Sequence, residues 1–223
     1  MVALTLPFDG RWLAQNSPAR RVPSHGTDLM GERFAIDFVA VDESRRTAAR
    51  SDWRTALASE PPERFLAFGR PILAPVDGVV VAVHDGEPDH AGRRSQLALL
   101  PYMLGQAARV RAGADAVAGN RVILATARGG PYIALVHLRR GSLRVRPGAA
   151  VTTGQPLAEC GNSGNSTQPH LHVQAMDDLD LARARGVPLA FRDFREWVGG
   201  AAHPLHRSLA VPAEGSVVEA DGA

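Results

Sequence analysis

The sequence predicts a mostly β protein, an antiparallel β-sandwich carrying a groove, and three observations support this. Short apolar and β-branched runs recur from residue 71 to 175, separated by turn pairs at Asp77-Gly78, Gly129-Gly130, Pro147-Gly148 and Thr153-Gly154. Polar and apolar residues then alternate strictly from His170 to Ala175, which is the period of a strand with one face turned away from the core. Helical texture is confined to residues 43–69 and 85–118.

The chain of 223 residues suits one good-sized core. Its 45% hydrophobic and 22% charged residues make an ordinary globular composition. No apolar run approaches the ~20 residues of a membrane helix, so no transmembrane segment is expected. Met1 leads straight into Val-Ala-Leu-Thr-Leu-Pro without a basic region or a long apolar core, and no secretory signal is read there. The single Cys160 excludes an internal disulfide and a thiolate-rich metal cage, and reads as a small buried filler. All 25 basic residues are arginine. Their loose clusters lack interleaved aromatics, which argues for solvated faces rather than a nucleic-acid partner.

Taken in order, residues 1–33 are rich in turn formers and predict an irregular entry segment containing Ser24-His25-Gly26. Phe34 to Val41 is a near-continuous apolar run with β-branched and aromatic residues, a strand buried on both faces. Asp37 in its middle needs a metal, a cation or several hydrogen bonds to offset its desolvation. Residues 43–69 predict a helix or ordered loop. Ile72 to Val83 predict two short strands about Asp77-Gly78. Residues 85–118 interrupt the β pattern as a helical or irregular insertion, with Ser95 as a candidate cap, and are placed beside the groove. Strands are expected at 120–126, 132–138, 145–148 and 151–157, with a last strand at 191–197. The tail 207–223 is expected to be disordered. The domain from 34 to 206 thus lies between an irregular segment and a loose end.

Residues 161–168, Gly-Asn-Ser-Gly-Asn-Ser-Thr-Gln, form a loop, and Pro169 biases Gln168 toward extended geometry. In the strand that follows, His170, His172 and Gln174 share one face, so two imidazoles project side by side. Histidine is the commonest metal ligand and the usual proton shuttle near neutral pH. A half-exposed strand without any chemistry shows the same alternation. His137, inside an apolar run, likewise reads either as a core histidine bonded to backbone or as a functional group.

The Gly/Ser/Thr loop ending in Pro169-His170-Leu171-His172 resembles the closing motif of the lysostaphin-type (LytM-domain) zinc metallopeptidases. Ile72 to Val80, with Ala74-Pro75 and Asp77-Gly78, and the Pro-Gly and Thr-Gly turns extend the resemblance over roughly residues 25–175. It implies a barrel-sandwich hybrid built on a duplicated hybrid motif. It also implies a zinc-dependent endopeptidase acting on peptide bonds, with peptidoglycan cross-link peptides as substrate. Carried over by position, Asp37 and His172 match zinc ligands, and His137 and His170 match catalytic histidines. One departure stands out: four residues before Asp37, where the family's first ligand belongs, stands Arg33, whose guanidinium stays protonated and cannot bind zinc. His25, the sole histidine upstream of Asp37, is the expected replacement, folded back to complete His25/Asp37/His172. The alternative is a non-catalytic regulatory or wall-binding relative with a degenerate metal site. His84, His90, His203 and His206 match no family position and are read as surface or loop residues. Biotinyl and lipoyl carriers share the hairpin texture but need an acceptor lysine, which this chain lacks.

Overall fold

The computed structural model describes residues 1–221 except 51, 53, 54, 56, 96, 98–110 and 112. Two strands precede the expected domain, β1 (Val2–Leu4) and β2 (Trp12–Gln15), and a 3-10 turn at Leu29–Phe34 leads into β3 (Ile36–Ala40). Then come β4 (Pro71–Leu73), β5 (Gly78–His84), the short helix α1 (Ala114–Ala118), β6 (Asn120–Ala125) and β7 (Tyr132–Leu138). The chain continues through β8 (Ala150–Val151), β9 (Pro156–Glu159), β10 (Leu171–Met176), β11 (Leu189–Trp197), β12 (Leu205–Ala210) and β13 (Val217–Ala220). No helix among the described residues is long and apolar enough to cross a membrane.

The protein is mostly β, as the strand texture requires. Among the described residues one 11-stranded sheet runs β1-β11-β13-β2-β3-β10-β7-β6-β5-β8, with β12 added to β11, and β4 and β9 form a second, two-stranded sheet. The sheet is mixed rather than purely antiparallel, because β1 lies parallel to β11. The other pairings are antiparallel, and no barrel closes. Ile72, Leu157 and Ala158 of the small sheet share one core with Leu124, Leu135 and Val173 of the large one. Burying that face leaves the opposite face of β6, β7 and β10 to form a groove.

Two expectations need correction. Residues 1–33 are not merely irregular: Phe8 and Trp12 are fully buried, stacked at 4.4 Å between ring centroids, and Phe8 meets Phe38 edge-on at 5.0 Å. Residues 207–223 are not a disordered tail through their described part. Val217 and Val218 are buried in β13, which bonds to β2 and β11. The local composition there is polar, but two valines suffice once distant strands offer them a paired edge. Deleting the Phe8 ring is therefore expected to cost the whole domain about 3–5 kcal/mol, the range for a buried Phe→Ala. Urea unfolding of Phe8→Ala measures it, and a loss under about 1 kcal/mol contradicts the integration of this segment.

Of the helical expectation for 43–69, the structure describes a 3-10 turn at Pro62–Arg64, and residues 51, 53, 54 and 56 lie outside the described set. Most of the apolar stretch of the insertion, 98–104, also lies outside it, while Leu97 is exposed.

Candidate metal centre

β10 lies between β3 and β7, so the register decides what faces the groove. Asp37 pairs directly with His172, which pairs on its other side with Val136. Period-two alternation sends Leu171, Val173 and Ala175 into the core, and His172 and Gln174 to the groove with His170 just before them. On β3 the same rule buries Ile36 and Phe38 and leaves Asp37 on the groove face.

β7 breaks the rule at one residue. Ile133 and Leu135 enter the core, and strict alternation would send His137 after them. Instead the β6–β7 register slips: Arg121 pairs with Val136 and Asn120 with Leu138, leaving His137 unpaired between them at φ 63°. This bulge turns the imidazole into the groove, 4.7 Å from the His170 ring, and returns Leu138 to the core. A non-glycine residue held at positive φ inside a strand is a local strain that the surrounding structure must sustain.

His25 arrives from outside the strands. Gly26, at φ 77°, closes a tight turn with its N–H donating to the Pro23 carbonyl, and Ser24 N–H donates to the Arg33 carbonyl. The turn sets the His25 ring 4.9 Å from that of His172. His25 Nε2 lies 3.1 Å from Asp37 Oδ2, and His172 Nδ1 lies 2.9 Å from Asp37 Oδ1. One ligand atom from each of the three residues falls within 4.8 Å of the others.

The donor set fits a zinc ion. A carbonyl only accepts, so the Ser24 hydroxyl donates to the Glu32 carbonyl and accepts from His25 Nδ1–H. Gln174 Nε2 donates to the Met30 carbonyl, so its Oε1 accepts from His172 Nε2–H. With its far nitrogen bonded in this way, a neutral imidazole turns a lone pair toward the Asp37 carboxylate, and a protonated one donates to it. A ring proton or a metal cation completes such pairs, and two neutral imidazoles with one carboxylate are the ligand chemistry of a three-residue zinc site.

Without a metal, the same groups interact through protons. Burial raises the Asp37 carboxyl, but the charge that His170 and His25 bring when protonated and hydrogen bonds from His172 and His25 outweigh it and hold the group well below the usual carboxylate range. Burial lowers His172, yet the hydrogen bond and charge of Asp37 push it up to about 9. His137 is held well below an ordinary histidine, first by burial and then by the neighbouring imidazoles. Burial also lowers His170, partly opposed by Asp37. His137 Nδ1–H donates to the Ser163 carbonyl at 2.9 Å and His170 Nδ1–H to the Gln168 carbonyl at 2.8 Å. Each leaves an Nε2 lone pair available, that of His170 lying 3.6 Å from Asp37 Oδ1.

These groups line a cleft of about 260 Å³. Ala134, Val136 and Leu181 supply apolar lining, Val117 and Ala118 of α1 border it, and Glu32 and Arg121 bring opposite charges. The structure thus gathers His25, Asp37, His137, His170 and His172 about one cleft. Arg33 points outward and pairs with Asp28 at 2.7 Å. Asn16 escaped the sequence reading: its Nδ2 donates to Asp37 Oδ2 at 2.7 Å, from a stretch legible only as a turn. His90 lies in a loop. Its Nε2 contacts the Gly164 carbonyl at 2.9 Å, bracing the loop 161–168. Across that loop Val117 O accepts from Asn165 N–H, and a Cβ on Gly164 would stand 2.5 Å from Gly119 N, so the end of the insertion grips the loop that carries His170.

Comparison with known proteins adds a family match over part of the chain. Residues 104–183 match the model of Peptidase family M23. Among solved structures, a catalytic-domain variant of a prophage-encoded M23 protein from Enterococcus faecalis is 18% identical, covering 69% of this chain and 73% of that one at a TM-score of 0.39. The catalytic domain of lysostaphin from Staphylococcus simulans is 18% identical over 68% of this chain and 73% of that one, at 0.38. A zinc-containing peptidase from Vibrio cholerae is 18% identical over 69% of this chain, which spans 48% of that one, at 0.34. No curated protein matches significantly.

Proposed function

We propose that this chain, a member of peptidase family M23 through residues 104–183, is a zinc-dependent metalloendopeptidase whose substrates are peptides of the peptidoglycan cross-link class. The observation that carries the reading is the convergence of His25, Asp37 and His172 within 4.8 Å beside the imidazoles of His137 and His170. His25 Nε2, an oxygen of Asp37 and His172 Nδ1 would hold the metal, with Arg33 excluded by its charge and outward direction. Zinc, when bound by three protein ligands with an open fourth position, supplies Lewis acidity toward a carbonyl and acidifies water.

The remaining work falls to the chain. The cleft's small apolar lining at Ala118, Ala134 and Val136 admits an extended backbone with small side chains. His137 and His170, kept neutral by burial, present Nε2 lone pairs into the cleft. One takes a proton from the attacking water as the C–O bond forms. The imidazolium so made stabilises the negative oxygen and returns the proton to the leaving amine nitrogen as the C–N bond breaks.

Incubating the protein with glycine- or alanine-rich cross-link peptides and reading fragments by mass spectrometry tests this. Cleavage is expected to be abolished by a zinc chelator and restored by added zinc. Protein that carries no zinc and cleaves none of these peptides supports instead a non-catalytic regulatory or wall-binding member.

A further inference from the structure

The outer nitrogens of both flanking imidazoles are held by side chains with no assigned role, and both holders lean on the same turn. Ser24 Oγ lies 3.0 Å from His25 Nδ1 and 3.2 Å from the Glu32 carbonyl. Gln174 Oε1 lies 2.8 Å from His172 Nε2, and its Nε2 lies 2.7 Å from the Met30 carbonyl. Met30 and Glu32 belong to the 3-10 turn Leu29–Phe34, which bends through φ 55° at Met30 and 79° at Gly31. A Cβ on Gly31 would stand 2.8 Å from Met176 Cγ and 3.3 Å from Gln174 Nε2, so glycine lets the turn press against β10. The left-handed bend aims the Met30 carbonyl at Gln174, while the Glu32 carbonyl serves Ser24. Ser24 and Gln174 are nearly fully buried, so neither bond is shared freely with solvent.

We infer that Ser24 and Gln174 are positioning residues that fix the inward lone pairs of His25 and His172, and that the turn Leu29–Phe34 ties the two through its Met30 and Glu32 carbonyls. The inference rests on the proposed zinc site. In a metal centre the hydrogen bond to the ligand's far nitrogen selects the tautomer and holds the ring plane, and its loss weakens metal binding by about 10–100-fold. A hydroxyl suffices at position 24, because the demand is one acceptor toward Nδ1–H and one donor toward a carbonyl. At position 174 only an amide meets the demand. A carboxylate keeps the acceptor toward His172 but faces the Met30 carbonyl without a proton to give.

The test is zinc affinity by chelator competition on the full chain, for wild type, Ser24→Ala, Ser24→Thr, Gln174→Leu and Gln174→Glu. Visible spectra of the cobalt-substituted proteins report ligand geometry alongside. Ser24→Ala and Gln174→Leu are each expected to bind zinc about 10–100-fold more weakly, with altered cobalt spectra. Ser24→Thr should stay within a few-fold of wild type, and Gln174→Glu should not recover. This split separates orientation from general stability, since thermal midpoints of the metal-free Ala and Thr variants are expected to agree closely. Wild type that binds zinc while Ser24→Ala and Gln174→Leu bind it equally well overturns this inference alone. Wild type that binds neither zinc nor cobalt removes the proposed function and this inference with it.

Discussion

Replacing His25 by alanine is expected to cost the protein its zinc. Three ligand atoms lie within 4.8 Å of one another, and His25 Nε2 is one of them. Without it Asp37 and His172 remain, and Arg33 cannot substitute, since its guanidinium is protonated and paired outward with Asp28. A third of the ~12 kcal/mol typical of zinc binding by a complete ligand set corresponds to roughly a thousandfold in affinity. Elemental analysis after matched dialysis against a chelator should therefore find about one zinc per wild-type chain and essentially none in His25→Ala. His84→Ala is the control: His84 sits in β5 opposite Arg121, outside the cluster, and its loss should leave the zinc in place. Equal zinc retention in wild type and His25→Ala would falsify the displaced-ligand assignment.

Substituting His137 by asparagine should leave the zinc bound and remove the chemistry. Asparagine is chosen because it tolerates positive φ better than other side chains, and the bulge holds position 137 at φ 63°. The variant keeps a polar group near the Ser163 carbonyl but has no basic ring nitrogen to face the cleft. General acid–base groups contribute about 10²–10⁴-fold. The turnover number is expected to fall by that amount with KM little changed, since the imidazole acts on protons of the reacting atoms rather than on the bound peptide. Peptide cleavage assayed alongside zinc content decides it. Undiminished turnover in a zinc-replete His137→Asn would assign the proton work to His170 alone.

How much of this was legible beforehand depends on the range of the interaction that decides each residue. His170, His172 and Gln174 sharing a face needed only the two-residue period of a strand, and the loop before them announced itself by composition. Asp37 in an apolar run signals only that something must offset its burial, and the family resemblance points to His25 and His172; the partner that neither reveals is Asn16, from a turn. The tail's order is not legible in its composition because its valines are few and are buried only by pairing with β11 and, from the far end of the chain, β2.

His137 shows the boundary most sharply. Its identity and its apolar neighbours are in the sequence, but counting by two from Leu135 points it into the core. Only the slip between β6 and β7 turns it toward His170, and a bulge reflects how two strands twist together rather than any one residue's preference. By itself, then, the sequence determined the β architecture, the histidine pair of β10 and the charge that bars Arg33 from zinc, because periodicity and side-chain chemistry are local. That His25 folds back onto Asp37 and that His137 faces the cleft are expectations from family resemblance, which local chemistry cannot derive. The tertiary structure supplies the turn and the bulge that place them, and it alone shows Ser24 and Gln174 at the outer nitrogens. Those outcomes depend on strand register and turn geometry, where a shift of one residue redirects a side chain to the opposite face.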